Sequence, residues 1–201
     1  SDQEHEKTQR QFIARIASSG TTNNSGHTQY KDANTDVVGW VVERASGKSL
    51  RSFLADIVDA AGIEGTLFIT TDREGFPTID GGACLTARDL ARYFSIFTRH
   101  GRGVGNEIVG SAEFIQRTLG SGVHLPPPNE RIRYSNHMRI LGNTMGHSGW
   151  GGQYALANLD TGAVGVFFSV IENQHAADRG YLSQVARMLE SITAMEPDSS
   201  P

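Results

Sequence analysis

The chain has 201 residues, enough for one ordinary domain with a sizeable core, and its 20% charged and 38% hydrophobic residues are those of a globular sequence, neither disordered nor membrane-like. A net charge of -4 gives no electrostatic reason to expect nucleic acid, and no apolar run approaches the roughly 20 residues of a membrane span. The single cysteine, Cys84, excludes an internal disulfide. The sequence opens Ser-Asp-Gln-Glu-His-Glu-Lys, without initiator methionine, basic n-region or apolar h-region, so its start reads as a cut point or processed end and leaves localisation open.

Residues 8–18 carry Phe12, Ile13 and Ile16 at helical spacing, which predicts a short helix. Ser18 to His27 is rich in Ser, Thr, Asn and Gly and reads as a loop. Val37, Val38, Val41, Val42 and Ala45 then fall on one helical face, with Gly47 where a C-cap belongs. Leu50, Phe53, Leu54, Ile57, Val58 and Ala61 form the stripe of the next helix, and Gly62 ends it. Thr66 to Thr71 is a short strand. Thr86 begins a further helix, with Asp89 placed for a capping box and Leu90, Ala91, Phe94 and Phe97 facing inward. Ser111 to Leu119 is another helix. Gly120 to Glu130 contains Pro126-Pro127-Pro128 and is expected to be a loop.

Gln153 to Leu159 and Ala163 to Ile171 are strand-like runs joined by the hairpin signal Asp160-Thr161-Gly162, with Val164, Val166, Phe168 and Val170 alternating along the second. A final amphipathic helix covers about Asp178 to Ala194, with Leu182, Val185, Leu189 and Ile192 inward, and the polar tail from Glu196 to Pro201 is expected to fray. Helices come first, then an antiparallel hairpin, then a helix on it, which is an α+β order with segregated parts.

Two segments invite chemistry. Tyr30 ends a loop just before a helix that Asn34 or Thr35 can cap, leaving the phenol free to face a cleft. Beside a cation such a tyrosine gives up its proton more readily and can act as a base, although most tyrosines are packing residues with a wet hydroxyl. The other segment is Gly146-His147-Ser148-Gly149-Trp150-Gly151-Gly152-Gln153, before the hairpin. Four glycines in seven residues fit a place where backbone approaches a ligand or an edge strand bulges. A bare edge there can offer an oxyanion-hole N–H, and His147 can hold a carboxylate or assist proton transfer. The plainer reading is a glycine-rich turn with a surface histidine.

Other candidates are weaker. His124 and His137 make no close-spaced ligand pair, and neither metal nor cofactor is expected. Trp40 is expected in the core of its helix. Cys84, before a helix N-terminus, is expected to be a buried small residue rather than an activated thiol. Tyr134-Ser135-Asn136 has no helical pattern after it and is expected only to line or approach the cleft. Arg131, Arg133 and Arg139 read as a solvated basic face, with carboxylate binding as the alternative.

Tyr30-Lys31-Asp32 followed by a helix, and His147-Ser148-Gly149 further on, resemble the second and third signatures of class C β-lactamases and their esterase, DD-peptidase and 6-aminohexanoate-dimer hydrolase relatives. In that superfamily Tyr-x-Asn is followed by a glycine nine residues after the tyrosine, where Gly39 stands. Asn34 to Val41 is especially similar to the aminohexanoate-hydrolase branch. Gly81-Gly82-Ala83-Cys84-Leu85-Thr86-Ala87-Arg88-Asp89-Leu90-Ala91 resembles the segment between the signatures. The resemblance covers roughly residues 28–195.

It implies a β-lactamase/transpeptidase-like fold, an antiparallel sheet flanked by helices with a helical subdomain, and an acyl-enzyme mechanism. In that scheme Tyr30 moves the proton, His147 orients substrate or assists it, and the Trp150 N–H is the second oxyanion donor. Asp32, Ser148 and Gly149 would touch the substrate, a small ester or amide. Two departures stand out. Asp32 replaces the usual asparagine; it can bind a substrate ammonium or pair with a lysine, and its charge disfavours a nearby phenolate. The superfamily's Ser-x-x-Lys is absent, because Glu4, Thr28 and Ala45 stand three residues before Lys7, Lys31 and Lys48.

With 29 residues before Tyr30, the sequence reads as one incomplete domain over 1–201, lacking the N-terminal portion. Residues 1–125 are expected to be a mostly helical subdomain with the tyrosine motif, and 126–201 the sheet hairpin and last helix. An unpaired sheet edge is expected to favour the missing half or self-association as partner. The alternative is a non-catalytic relative that binds a ligand or partner.

Overall fold

The structure, a computed structural model, describes residues 8–20, 30–171 and 178–195. The expected loop beyond Gly20 and the tail from Glu196 lie outside them. The chain divides into two compact units, one of residues 1–56 and 66–84, the other of 57–65 and 85–201.

In the first unit, α1 (Gln9–Ser18) is capped by Thr8, whose side chain accepts from the Gln11 N–H. Helix α2 (Asp32–Ser46) starts earlier than predicted. Lys31 occupies the N-cap without a side-chain bond, so neither Asn34 nor Thr35 caps it, and Asp32 lies in its first turn, where a carboxylate complements the helix dipole. Gly47 ends α2 in the left-handed conformation, φ 69°, as predicted.

The expected inner face of α2 is corrected. Val38, Val41 and Val42 are exposed, while Asp36 and Gly39 are buried. Gly39 turns inward because a Cβ there would meet the Ile79 side chain at 2.8 Å and Leu50 at 2.9 Å. Asp36 accepts from the Ile79 N–H at 3.2 Å, and burial is the main reason its pKa is raised. Trp40 is half-buried, not core. Arg44 stacks over its ring, and its buried indole N–H has no partner among the described residues. The strand expected over Thr66–Thr71 is only β1 (Phe68–Ile69), paired antiparallel with β2 (Ala83–Cys84). Cys84 is exposed there, against the expectation of burial, because both β2 residues lie open in this two-stranded sheet. Helix α3 (Leu50–Ala61) forms as predicted and runs from this unit into the other.

The second unit carries a six-stranded antiparallel sheet in simple sequence order. Its strands are β3 (Val123–His124), β4 (Arg133–Ser135), β5 (Met138–Leu141), β6 (Thr144–Ser148), β7 (Tyr154–Asn158) and β8 (Val164–Phe167). The hairpin β7–β8 is as predicted, although β8 stops at Phe167. Phe168 and Val170, expected to continue its inner face, are 41% and 79% exposed. The other four strands were not predicted, and β3 falls inside the expected Pro-rich loop. They are short, and two-residue turns join β4 to β5 and β5 to β6. Asn136 and His137 both take positive φ between β4 and β5, as a type I′ turn requires.

Strand alternation sorts the core. Tyr154 and Leu156 of β7 face α6 (Arg179–Thr193) and pack with Leu182, Val185, Ala186 and Leu189. Ala155 and Ala157 face α4 (Ala87–Thr98) around Phe94, while Ile140 and Met145 receive Ile115 of α5 (Ala112–Gly120). The sheet is therefore covered by α6 on one face and by α4 and α5 on the other, an α+β arrangement of antiparallel sheet and flanking helices. Ile192, predicted inward on α6, is 53% exposed in the helix's last turn. Thr86 caps α4: its hydroxyl accepts from the Asp89 N–H at 3.1 Å and donates to the Asp89 carboxylate at 2.8 Å, so that carboxylate returns to the hydroxyl and not to the Thr86 N–H that the expected capping box would use. That carboxylate also accepts the Glu64 and Gly65 N–H groups and pairs with Arg92. The Thr86 hydroxyl bond is the first cause of its lowered pKa.

Candidate active site

The His147 segment closes β6. Strand β7 pairs with β6 as far as Ser148↔Tyr154, but the β5 ladder ends at Arg139↔Gly146. From His147 onward β6 is therefore paired on one side only. An edge of this kind presents backbone to an incoming carbonyl.

Beyond it the chain turns tightly. The Gly149 N–H donates to the Gln153 carbonyl at 2.9 Å and the Gly152 N–H to the Gly149 carbonyl at 3.3 Å. Trp150 lies at the tip, with its side chain 73% exposed. Its N–H has no acceptor among the described residues. Gly146 is required for a different reason: a Cβ would lie 1.9 Å from the Ala155 carbonyl oxygen of the next strand.

His147 is half-buried. Burial lowers its pKa to about 4, with Arg139's positive charge adding to the effect, a bond to the Ser148 backbone opposing it and His137 contributing a smaller push. The imidazole is therefore neutral at pH 7. Its Nε2 lies 3.4 Å from the Tyr134 hydroxyl, and the two rings meet edge-on with centroids 6.0 Å apart. Tyr134 pairs with Arg139, which pairs with Gly146, so the strand order brings all three side by side. Arg139 is half-buried, its Nε shielded without an acceptor among the described residues, and its guanidinium sits by the Tyr154 hydroxyl, where it counters part of the upward push that burial gives that phenol.

His147, Ser148, Gly149 and Trp150 are thus one continuous edge and turn. Tyr30 and Asp32 belong to the first unit; Tyr30 is 52% exposed and directly precedes the N-cap residue of α2. Among the described residues no three His, Cys, Asp or Glu side chains gather as a metal site would require, and no helix is long and apolar enough to cross a membrane. The residue that sequence reasoning undervalued is Tyr134, expected only to line or approach the cleft. The legible signal was Gly142-Asn143, a two-residue hairpin dipeptide between β5 and β6 that puts residues before Gly142 beside His147.

The fold agrees with those of known proteins. Residues 1–187 match the family described as Beta-lactamase, and the chain belongs to that family. A 6-aminohexanoate-dimer hydrolase from Paenarthrobacter ureafaciens is 30% identical, the alignment covering 90% of this chain and 50% of that protein. Among solved structures, a penicillin binding protein from Bacillus halodurans superposes with TM-score 0.62 at 18% identity, over 92% of this chain and 64% of the other. EstCE1, a hydrolase with promiscuous acyltransferase activity, gives TM-score 0.65 at 14% identity, over 90% and 61%. These likenesses establish the fold. The chain spans half the length of the curated relative it matches.

Proposed function

We propose that this chain carries part of the site of a serine hydrolase that cleaves an amide or ester through an acyl-enzyme. The observation that supports this reading is the one-sided β6 edge, ending in a turn whose Trp150 N–H has no acceptor among the described residues, beside a neutral imidazole. A carbonyl oxygen that turns into an oxyanion needs a fixed, unspent donor, and this N–H is one. Ser148 and Gly149 offer backbone along the same edge, and His147 orients the substrate or assists proton transfer. Tyr30 is assigned the proton moved from the nucleophile and Asp32 an ammonium on the substrate. Because no Ser-x-x-Lys occurs in these residues, the nucleophilic serine and its lysine are assigned to a segment outside them. The amide-hydrolysing relative makes a linear amide the first substrate to try, alongside short esters.

The test is hydrolysis of p-nitrophenyl butyrate with labelling by a fluorophosphonate. It is run on the 201-residue chain and on its reading frame extended upstream through a Ser-x-x-Lys. The extended protein is expected to turn over and to label at that serine, and the 201 residues alone to do neither. In the extended protein Trp150→Pro, which removes the N–H, lowers kcat by about 10²–10³, while Trp150→Ala, which keeps it, has a much smaller effect. An extended protein that folds but neither labels nor hydrolyses favours a non-catalytic binding protein. A labelled serine within these 201 residues overturns the assignment of the nucleophile.

A further inference from the structure

The turn that carries Trp150 is held from a segment beyond β8, and the bonds that hold it run in one direction. Peptide planes are rigid, and the cis bond among the described residues is Pro127-Pro128, so in this turn each C=O points opposite the N–H of the next residue. The Gly149 carbonyl and the Trp150 N–H share one plane. That carbonyl accepts the Gly152 N–H at 3.3 Å, which aims the Trp150 N–H out of the turn. The Gly152 N–H in turn shares a plane with the Gly151 carbonyl. That oxygen is filled twice, by the Ile171 N–H at 3.2 Å and by the Ser169 hydroxyl at 2.9 Å. A carbonyl cannot donate, so the Ser169 proton is spent on Gly151, and the Ser169 oxygen accepts the Tyr181 O–H of α6 at 3.3 Å. Gln153 closes the frame, its Nε2 donating to the Ser169 carbonyl at 3.0 Å. Gly152 permits the approach, since a Cβ there would run into the Ser169 Oγ and stand 2.9 Å from the Tyr181 ring.

We infer that Ser169 is a positioning residue for the oxyanion turn: its hydroxyl fixes the Gly151-Gly152 peptide, which through Gly149 fixes the direction of the Trp150 N–H, and Tyr181 holds Ser169 in place. Its effect on turnover rests on the hydrolase reading of the β6 edge; its effect on the turn does not. From Tyr181 through Ser169 and the two peptide planes every hydrogen bond points the same way, and the row ends at the Trp150 N–H. Hydrogen bonds aligned head to tail polarise one another, so the row makes this N–H a stronger donor as well as a fixed one. Charge on a substrate oxygen develops only in the transition state, and a donor already in place needs no reorganisation then. Ser169 and Tyr181 act through the Trp150 N–H and not on a reacting atom.

Tryptophan-selective ¹⁵N labelling of the full chain reads the turn directly, because the 201 residues contain two tryptophans and Trp150→Phe identifies the Trp150 amide. Ser169→Ala is expected to move the Trp150 amide proton upfield, as the row that polarises it is broken, and to leave the Trp40 amide in place. Ser169→Thr, which keeps the hydroxyl, stays near the wild type. Tyr181→Phe moves the Trp150 signal in the same direction by less, and it decides if Ser169→Ala does not fold. In the extended protein with p-nitrophenyl butyrate, Ser169→Ala lowers kcat about tenfold with KM little changed, a smaller loss than that of the donor itself. In a Trp150→Pro background, where the N–H is gone, Ser169→Ala is expected to cost less than about twofold more. A Trp150 amide that neither Ser169→Ala nor Tyr181→Phe moves overturns the inference, as does a Ser169→Ala loss of kcat undiminished in Trp150→Pro. If no form hydrolyses any ester, the amide shift still decides whether Ser169 sets the turn, and only the hydrolase reading falls.

Discussion

Replacing Gly146 by alanine tests whether the β6–β7 ladder holds the site. The new Cβ would stand 1.9 Å from the Ala155 carbonyl oxygen and 3.0 Å from the Leu156 Cα. An ordinary contact begins near 3.4 Å, so the strands must separate by roughly 1.5 Å at this point. The obstacle is backbone, which no rotamer change relieves. One or two ladder bonds at about 1 kcal/mol each, and overpacking of about 1–3 kcal/mol, act against a gain of about 0.4–1 kcal/mol from a stiffer unfolded chain. The net loss is about 2–3 kcal/mol. Urea unfolding followed by far-UV circular dichroism measures it, and with a slope of about 2 kcal/mol/M the midpoint falls by about 1 M or more. Gly120→Ala is the internal control, because nothing lies within 4 Å of its added Cβ at the end of α5. It is expected to leave the midpoint unchanged or raise it slightly. A Gly146→Ala midpoint within the scatter of that control would refute the claim that close strand approach selects glycine here.

Thr86→Ala removes the hydroxyl that caps α4 and orients Asp89, and is expected to cost about 1 kcal/mol in the same urea assay. Leu156→Ala empties a position with no exposed surface between β7 and α6 and is expected to cost about 2–5 kcal/mol. His147 has a folded pKa of about 4, below its unfolded 6.5, so the unfolded chain binds more protons between these values. Its contribution to stability is complete above pH 6.5 and is lost as pH falls toward 4; the urea midpoint should drop from pH 7 to pH 4.5, and less so in His147→Gln. Strand β8 has β7 as its one neighbour among the described residues, so the 201-residue chain alone is expected to self-associate, and a strictly monomeric mass by light scattering would count against that.

The helices were legible because each carries its own stripe and stop signal. Gly47 and Gly62, both in positive φ, close α2 and α3 where a sequence reader would place them, and Thr86 caps α4 through Asp89. The β7–β8 hairpin was legible for the same reason, from Asp160-Thr161-Gly162. Strands β3 to β6 were not, because two to five residues cannot show a period and their side chains mix Arg133, Arg139 and His147 with Ile140 and Met145. A strand buried on both faces near its middle and open at its ends has no clean alternation to find. The inner face of α2 misled in the opposite way, since its valines match a core stripe that the structure turns outward around Gly39 and Asp36.

The site follows from the same limit. A glycine-rich run with one histidine is ambiguous until its neighbours are known, and those neighbours come from the strands that carry no pattern. Once Gly142-Asn143 folds β5 back along β6, Arg139 stands next to Gly146 and brings Tyr134 with it. The absence of a side chain at Gly146 then serves two ends: it lets the Ala155 carbonyl approach, and it leaves the row between Arg139 and Leu156 empty. Burial and the arginine charge hold His147 neutral throughout the physiological range. Burial is the first reason the imidazole gives up its proton, and the nearby Arg139 charge adds to it.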